Sequence, residues 1–299
     1  MSRRGTRVGD LRRIGPTQWL LVAPAQALLL LTIAGPAIYV LWLSLSQSSY
    51  GQEPVWVGLA NYRTVMVDSY FWRAFLNTFV LVNVVVYVEM AIALGIAVLF
   101  AGGVPARGAM ITLLLAPYAV SEVVAVAVWR YLMSPDIGPV TRLVETIGLP
   151  PLDWTVSSEA ALVLVGLINM WLHLPFTFVL LYTALLAIPT ELYESARMDG
   201  AGAWAEFRDV TLPMLMPAIL VALLFRHIFA FRLFSEVWLL TEGGPARTTE
   251  VMAVYLYLSG FRYADFGAAA ATGWLMMVIS LLGSLAFLRR MYRDMNAHA

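Results

Sequence analysis

Residues 189–213 read PTELYESARMDGAGAWAEFRDVTLP, and the rest of the chain is read outward from this stretch. It is long for a link between two apolar segments, and it is built to be helical. Thr190 is placed to cap a helix whose first turn carries Glu191 and Glu194, where the helix dipole favours negative charge, and Gly200 is placed to end it. Ala203 to Val210 fits a second short helix with Phe207 as its bulky apolar residue, before Pro213 breaks the chain into the next apolar segment. A helix lying among lipid headgroups usually shows a basic polar face. Here Glu191, Glu194, Asp199, Glu206 and Asp209 stand against Arg197 and Arg208, so the acidity favours a protein partner. A short helix offering Tyr193, Ala196 and Arg197 from one side suits insertion in a groove of another subunit.

On both sides of this stretch the chain is apolar. Of its 299 residues 61% are hydrophobic and 13% charged, with mean hydropathy +0.77, whereas a soluble domain carries about 25% charged residues. A bilayer core about 30 Å thick needs roughly 20 apolar residues per helical span. Six stretches qualify: Trp19 to Leu43, Leu76 to Phe100, Gly108 to Ala127, Ala160 to Ile188, Met216 to Leu240 and Gly267 to Leu288. The third reaches Leu132 if Arg130 snorkels to the interface. The fold expected is all-α, with six transmembrane helices and a helical connection (189–213) between the fourth and fifth.

The arginines orient this array. Arg3, Arg4, Arg7, Arg12, Arg13, Arg107, Arg197, Arg208, Arg289, Arg290 and Arg293 fall on one side, against Arg63, Arg73, Arg142, Arg247 and Arg262 on the other. Both termini are therefore expected in the cytoplasm, residues 1–18 and 289–299 as tails and 19–288 as one membrane domain. The first apolar segment exceeds the 7–15 residues or so of a signal-peptide core, so it is expected to be a retained anchor. Every basic residue is arginine, which excludes a P-loop and a Schiff-base lysine; the lack of cysteine excludes disulfides and thiolate chemistry. No metal site or nucleic-acid partner is expected.

With Glu194-Ser195-Ala196, then Gly200, then Val210-Thr211-Leu212-Pro213, the connection resembles that of the membrane subunits of binding-protein-dependent ABC importers. Their signature there is Glu-Ala-Ala, three residues, Gly, nine residues, Ile, any residue, Leu-Pro. Every spacing is kept, with Ser195 and Val210 as small departures. Trp56 to Tyr62, Trp129-Arg130 with Pro135-Asp136, Ile188-Pro189 with Leu192-Tyr193-Glu194, and Leu240 to Pro245 are similar to the carbohydrate-type permeases, and among them to the first membrane subunit of the maltose type. The resemblance implies the type I importer fold in a bacterial-type inner membrane. The implied partners are a second, homologous permease, two copies of an ATP-hydrolysing subunit that bind the ATP and magnesium, and an external solute-binding protein. It also implies that Tyr193, Glu194, Ala196, Arg197, Asp199 and Gly200 form the contact with the ATPase.

A solute pathway is expected where polar groups lie within apolar spans. Asn169, His173 and Phe176 share a face of the fourth span beside the bend expected at Pro175, and Arg226, Phe229, Ala230 and Leu233 share a face of the fifth. These are the spans that carry sugar contacts in maltose-type permeases. Asn169 and His173 suit hydroxyl groups, and Phe176 and Phe229 suit the apolar face of a pyranose. For Arg226 two readings stand: an internal ion pair with Glu89 or Glu122, or a contact with an anionic group of the cargo, helped by His227 or His173. Arg232 and Glu236, four apart, are expected to neutralise each other. Gly243-Gly244-Pro245 is expected as an outer turn. A proton-coupled carrier using Glu89, Glu122, His173 and Arg226 is the alternative, and it has no need of the acidic docking helix.

Overall fold

The computed structural model describes residues 16–150 and 153–297. Arg3, Arg4, Arg7, Arg12 and Arg13 of the orientation argument lie outside the described residues, as do the side chains of Arg290 and Arg293. Among the described residues five helices are long and apolar enough to span a bilayer: α1 (Leu20–Ser44), α3 (Ser69–Ala101), α7 (Ser158–Leu186), α9 (Ala203–Ala230) and α12 (Phe266–Ala297). The shorter helices are α2 (Ala60–Val67), α4 (Arg107–Leu115), α5 (Glu122–Leu132), α6 (Pro139–Thr146), α8 (Thr190–Met198), α10 (Ser235–Thr241) and α11 (Met252–Tyr257).

Side-chain caps start the two long central helices. Asp68 accepts a hydrogen bond from the Tyr70 amide at the head of α3, and Ser157 accepts one from the Ala160 amide at the head of α7. The pair then packs along its length because Gly166 lets the backbones approach; a Cβ there would stand 3.0 Å from Val85 Cγ2. With α9 they enclose a core of Val86, Met90, Phe178, Leu181, Leu215 and Ala222. A second core joins α5, α7, α10 and α11 through Val126, Leu164, Ile168, Val237 and Val254. Helix α1 packs against α12 and leaves most of its apolar surface exposed, as a lipid-facing helix does.

Between α1 and α3 a two-residue antiparallel pair, β1 (Ser46–Gln47) with β2 (Val55–Trp56), precedes α2. The conspicuous Asn61 and Tyr62 of that stretch have structural work here. Asn61 Nδ2 donates to the carbonyls of Ser44 and Ser46, both at 2.9 Å, and the Tyr62 hydroxyl meets Ser44 Oγ at 2.8 Å. Gly243 is part of a left-handed turn, and Arg247 beyond it is clamped on the buried carboxylate of Glu250.

Two spans differ from expectation. The third, read as Gly108 to Ala127, is two helices bent by 101°. Pro117 cannot donate to a carbonyl one turn back, so residues 116–119 tighten into a 3-10 turn, and Ser121 is extended before α5 restarts at Glu122. The fifth, read as Met216 to Leu240, runs from Ala203 to Ala230 and leaves the helix at Phe231 to Phe234. Pro213 does not break it, because a π-helical stretch at Phe207–Thr211 shifts the register and Pro213 falls in the first turn of the α-helix that follows. Thr190, read as a cap, is the first helical residue of α8; Pro189 holds the extended capping position and no side chain closes that end.

Candidate functional site

Where α3, α7, α9 and α10 meet, a chain of polar contacts crosses the apolar interior. Arg226 is 0% exposed and Glu89 1%. Arg226 Nε donates to both Glu89 carboxylate oxygens at 2.9 and 3.0 Å, and its Nη2 donates to Glu89 Oε2 at 2.5 Å. Thr177 Oγ1 donates to the same carboxylate. Nη2 also donates to Asn169 Oδ1 at 3.0 Å, and Asn169 Nδ2 in turn donates to Glu236 Oε1 at 2.7 Å. Arg226 Nη1 has no hydrogen-bond partner among the described residues. Of the two readings of Arg226, the structure has the ion pair, and the partner is Glu89.

Glu236 and Asn169 form part of the wall of a cavity of about 600 Å³. Of the seven pocket candidates, Asn169, His173, Phe229 and Leu233 line it. Phe176 adjoins it, stacked on the lining residue Tyr118 at 6.4 Å and edge-on to Phe229 at 6.3 Å. Arg226 lies behind the wall on Glu89, and Ala230 lies in the α3–α7–α9 core. His173 Nδ1 is 2.9 Å from the Asn169 carbonyl oxygen. The remaining wall includes Glu122, Arg232 and Phe234.

The Arg232–Glu236 pair expected from i, i+4 spacing is absent among the described residues, because Arg232 sits in the turn after α9 and Glu236 on a separate helix. Tyr118 was not foreseen as a wall residue. The signal was available: Pro117 followed by Ser121-Glu122 is a break and a new helix start within an apolar run.

At the opposite end of α7, α8 is closed by a Schellman turn at Gly200, whose φ is +83°. The Gly200 amide donates to the Arg197 carbonyl at 3.0 Å and the Ala201 amide to the Ala196 carbonyl at 2.9 Å. Tyr193 packs on the core and its hydroxyl meets Thr211 Oγ1 at 3.0 Å, while Arg197 grips Glu206 through Nε and Nη2 at 2.8 and 3.2 Å. The Glu206 hydrogen bond and charge hold the Arg197 guanidinium above its ordinary pKa. Glu191, Glu194, Asp199, Met198 (89% exposed) and the following Trp204 (71%) face outward.

Residues 62–293 match the family described as binding-protein-dependent transport system inner membrane component. The trehalose transport system permease protein SugA of Mycobacterium tuberculosis is 32% identical over 289 residues, covering 96% of this chain and 90% of that protein. The sulfoquinovosyl glycerol transport system permease protein SmoG of Agrobacterium fabrum is 31% identical over 273 residues, covering 90% and 88%. A chain in the crystal structure of a bacterial ABC transporter involved in the import of the acidic polysaccharide alginate superposes with a TM-score of 0.81 at 25% identity, over 93% of this chain and 96% of that one. The importer-type fold expected from the 189–213 connection is thus the fold observed.

Proposed function

Because the chain belongs to the binding-protein-dependent transport system inner membrane components, we propose that it is the permease subunit of an ABC importer that brings a sugar or glycoside into the cell. The observation that carries the cargo class is the cavity wall, where acceptor and donor groups (Glu236, Asn169, Arg232) stand beside the aromatic rings of Phe229 and Tyr118. Hydroxyl-rich solutes with an apolar ring face need that combination. The relatives named for trehalose and sulfoquinovosyl glycerol support it.

The chain pairs with a second, homologous permease, receives solute from an external binding protein and is driven by two ATPase subunits that hold the ATP and magnesium. Both termini are cytoplasmic, which puts α8 on the ATPase side. Its outward face, acidic at Glu191, Glu194 and Asp199 and apolar at Met198, docks in the ATPase, and Gly200 sets the angle between α8 and α9. Tyr193 and Arg197 anchor α8 to Thr211 and Glu206, so a push on α8 is delivered to the foot of α9. The two access states then exchange as nucleotide and loaded binding protein favour one or the other. Of the four groups of a proton relay, Glu89 and Arg226 neutralise each other in the interior, while Glu122 and His173 stand on the cavity wall.

The test is ATP hydrolysis by the complete complex in nanodiscs. Sugar-loaded binding protein should raise it, and Glu194→Arg should abolish the rise while the subunit still assembles. An unchanged rise in Glu194→Arg would remove α8 as the coupling element.

A further inference from the structure

The charge on the cavity wall and the wiring behind it restrict the cargo further, on the premise that the importer assignment above holds. An anionic cargo needs positive charge in excess of the carboxylates around it, and Arg226 does not supply it: its Nε and Nη2 are taken by Glu89 and Asn169. On the wall itself stand two carboxylates, Glu122 and Glu236, and one guanidinium, Arg232. The two carboxylates outnumber the one guanidinium, so the wall has no excess of positive charge to attract an acidic sugar, and like charges brought together act against it.

The wiring gives Arg226 a different task. A guanidinium only donates, so the Asn169 side chain must turn its oxygen to Arg226 and, by the same rotation, its NH2 group to Glu236. Glu89 and Thr177 hold the guanidinium in place for this. The Glu236 carboxylate spends part of its acceptor capacity on Asn169 and keeps the rest for the cavity it lines.

We propose that Glu236, presented by Asn169, is the group that reads hydroxyl or amino donors of the cargo, that Glu89 and Arg226 are positioning residues which fix the Asn169 amide, and that the cargo is a saccharide without an acidic group. In this respect the chain parts from relatives named for sulfoquinovosyl glycerol or alginate.

The experiment uses the complete complex in nanodiscs without binding protein, titrated by saturation-transfer NMR with methyl glucoside, methyl glucosaminide and methyl glucuronide. The first two should bind, and the glucuronide about ten-fold or more weaker. Glu236→Gln should erase most of the difference between glucosaminide and glucuronide. The double variant Glu89→Gln/Arg226→Gln, which leaves no orphan charge, should weaken all glycosides together and keep the discrimination against the acid. Glucuronide binding as tight as glucoside, lost in the double variant, would make Arg226 a cargo ligand and overturn the inference. Failure of all three to bind, in a complex whose ATPase still responds to loaded binding protein, would remove Glu236 as a saccharide ligand and leave the importer assignment intact. Absence of that ATPase response would fail the importer assignment itself.

Discussion

Replacing Arg226 by Gln removes one half of an ion pair that no water reaches. The guanidinium supplies three contacts to Glu89, at 2.9, 3.0 and 2.5 Å, while the carboxylate keeps one neutral partner, Thr177. With both residues at most 1% exposed, the leftover carboxylate must stay charged in an apolar interior or take up a proton. Breaking a buried pair from one side costs about 3–5 kcal/mol, far above the half kcal/mol or so of an ordinary surface change. Glu89→Gln should cost a similar amount, since it strands the arginine instead. The double variant Glu89→Gln/Arg226→Gln removes both charges, and its loss should fall about 2 kcal/mol or more short of the sum of the two single losses. Equilibrium unfolding of the purified chain in mixed micelles, titrated with SDS and followed by circular dichroism, measures all three. Single losses under about 1 kcal/mol, or strictly additive ones, would refute the claim that this pair holds α3 to α9.

Three further perturbations test other parts of the structure. Asn61→Ala strips two buried carbonyls of their donor at the junction of α1 and α2, and should lower stability by about 2 kcal/mol in a thermal-denaturation assay in detergent. Gly166→Leu drives a side chain into Val85 and Leu81, whose nearest carbons stand 3.0 and 3.3 Å from where the Cβ would lie, and should cost about 1–3 kcal/mol by SDS unfolding. Gly200→Ala forces an L residue to φ +83°, a cost of about 1–2 kcal/mol, so hydrogen exchange of the Ala201 amide should speed up about five- to thirty-fold and global stability should fall by no more than that amount.

The parts of this protein that local sequence dictates were legible before the structure. Gly200 ends its helix because only glycine sits easily at that φ, and the acidic first turn of α8 follows from the helix dipole; neither depends on distant residues. The spans were legible as apolar runs, but their breaks were not. Phe231, Leu233 and Phe234 are as apolar as the helix they interrupt, so hydropathy runs through the turn and makes Arg232 and Glu236 look like neighbours. At Pro117 the break was written in the sequence and outweighed by the hydropathy around it. The ties of Tyr193 to Thr211 and of the exposed Arg197 to Glu206 were illegible for another reason: they cross the turn at Gly200 as tertiary contacts that helical spacing alone does not encode. Asn169 and His173 of α7 share a face by periodicity, and both line the cavity.

The most direct test of the whole account is uptake of a labelled neutral disaccharide into proteoliposomes holding the complete complex, with ATP sealed inside and loaded binding protein outside. Uptake should require both and should be indifferent to a proton gradient. Uptake that proceeds without ATP and follows an imposed proton gradient would contradict the account and return Glu89, Glu122, His173 and Arg226 to the role of a relay.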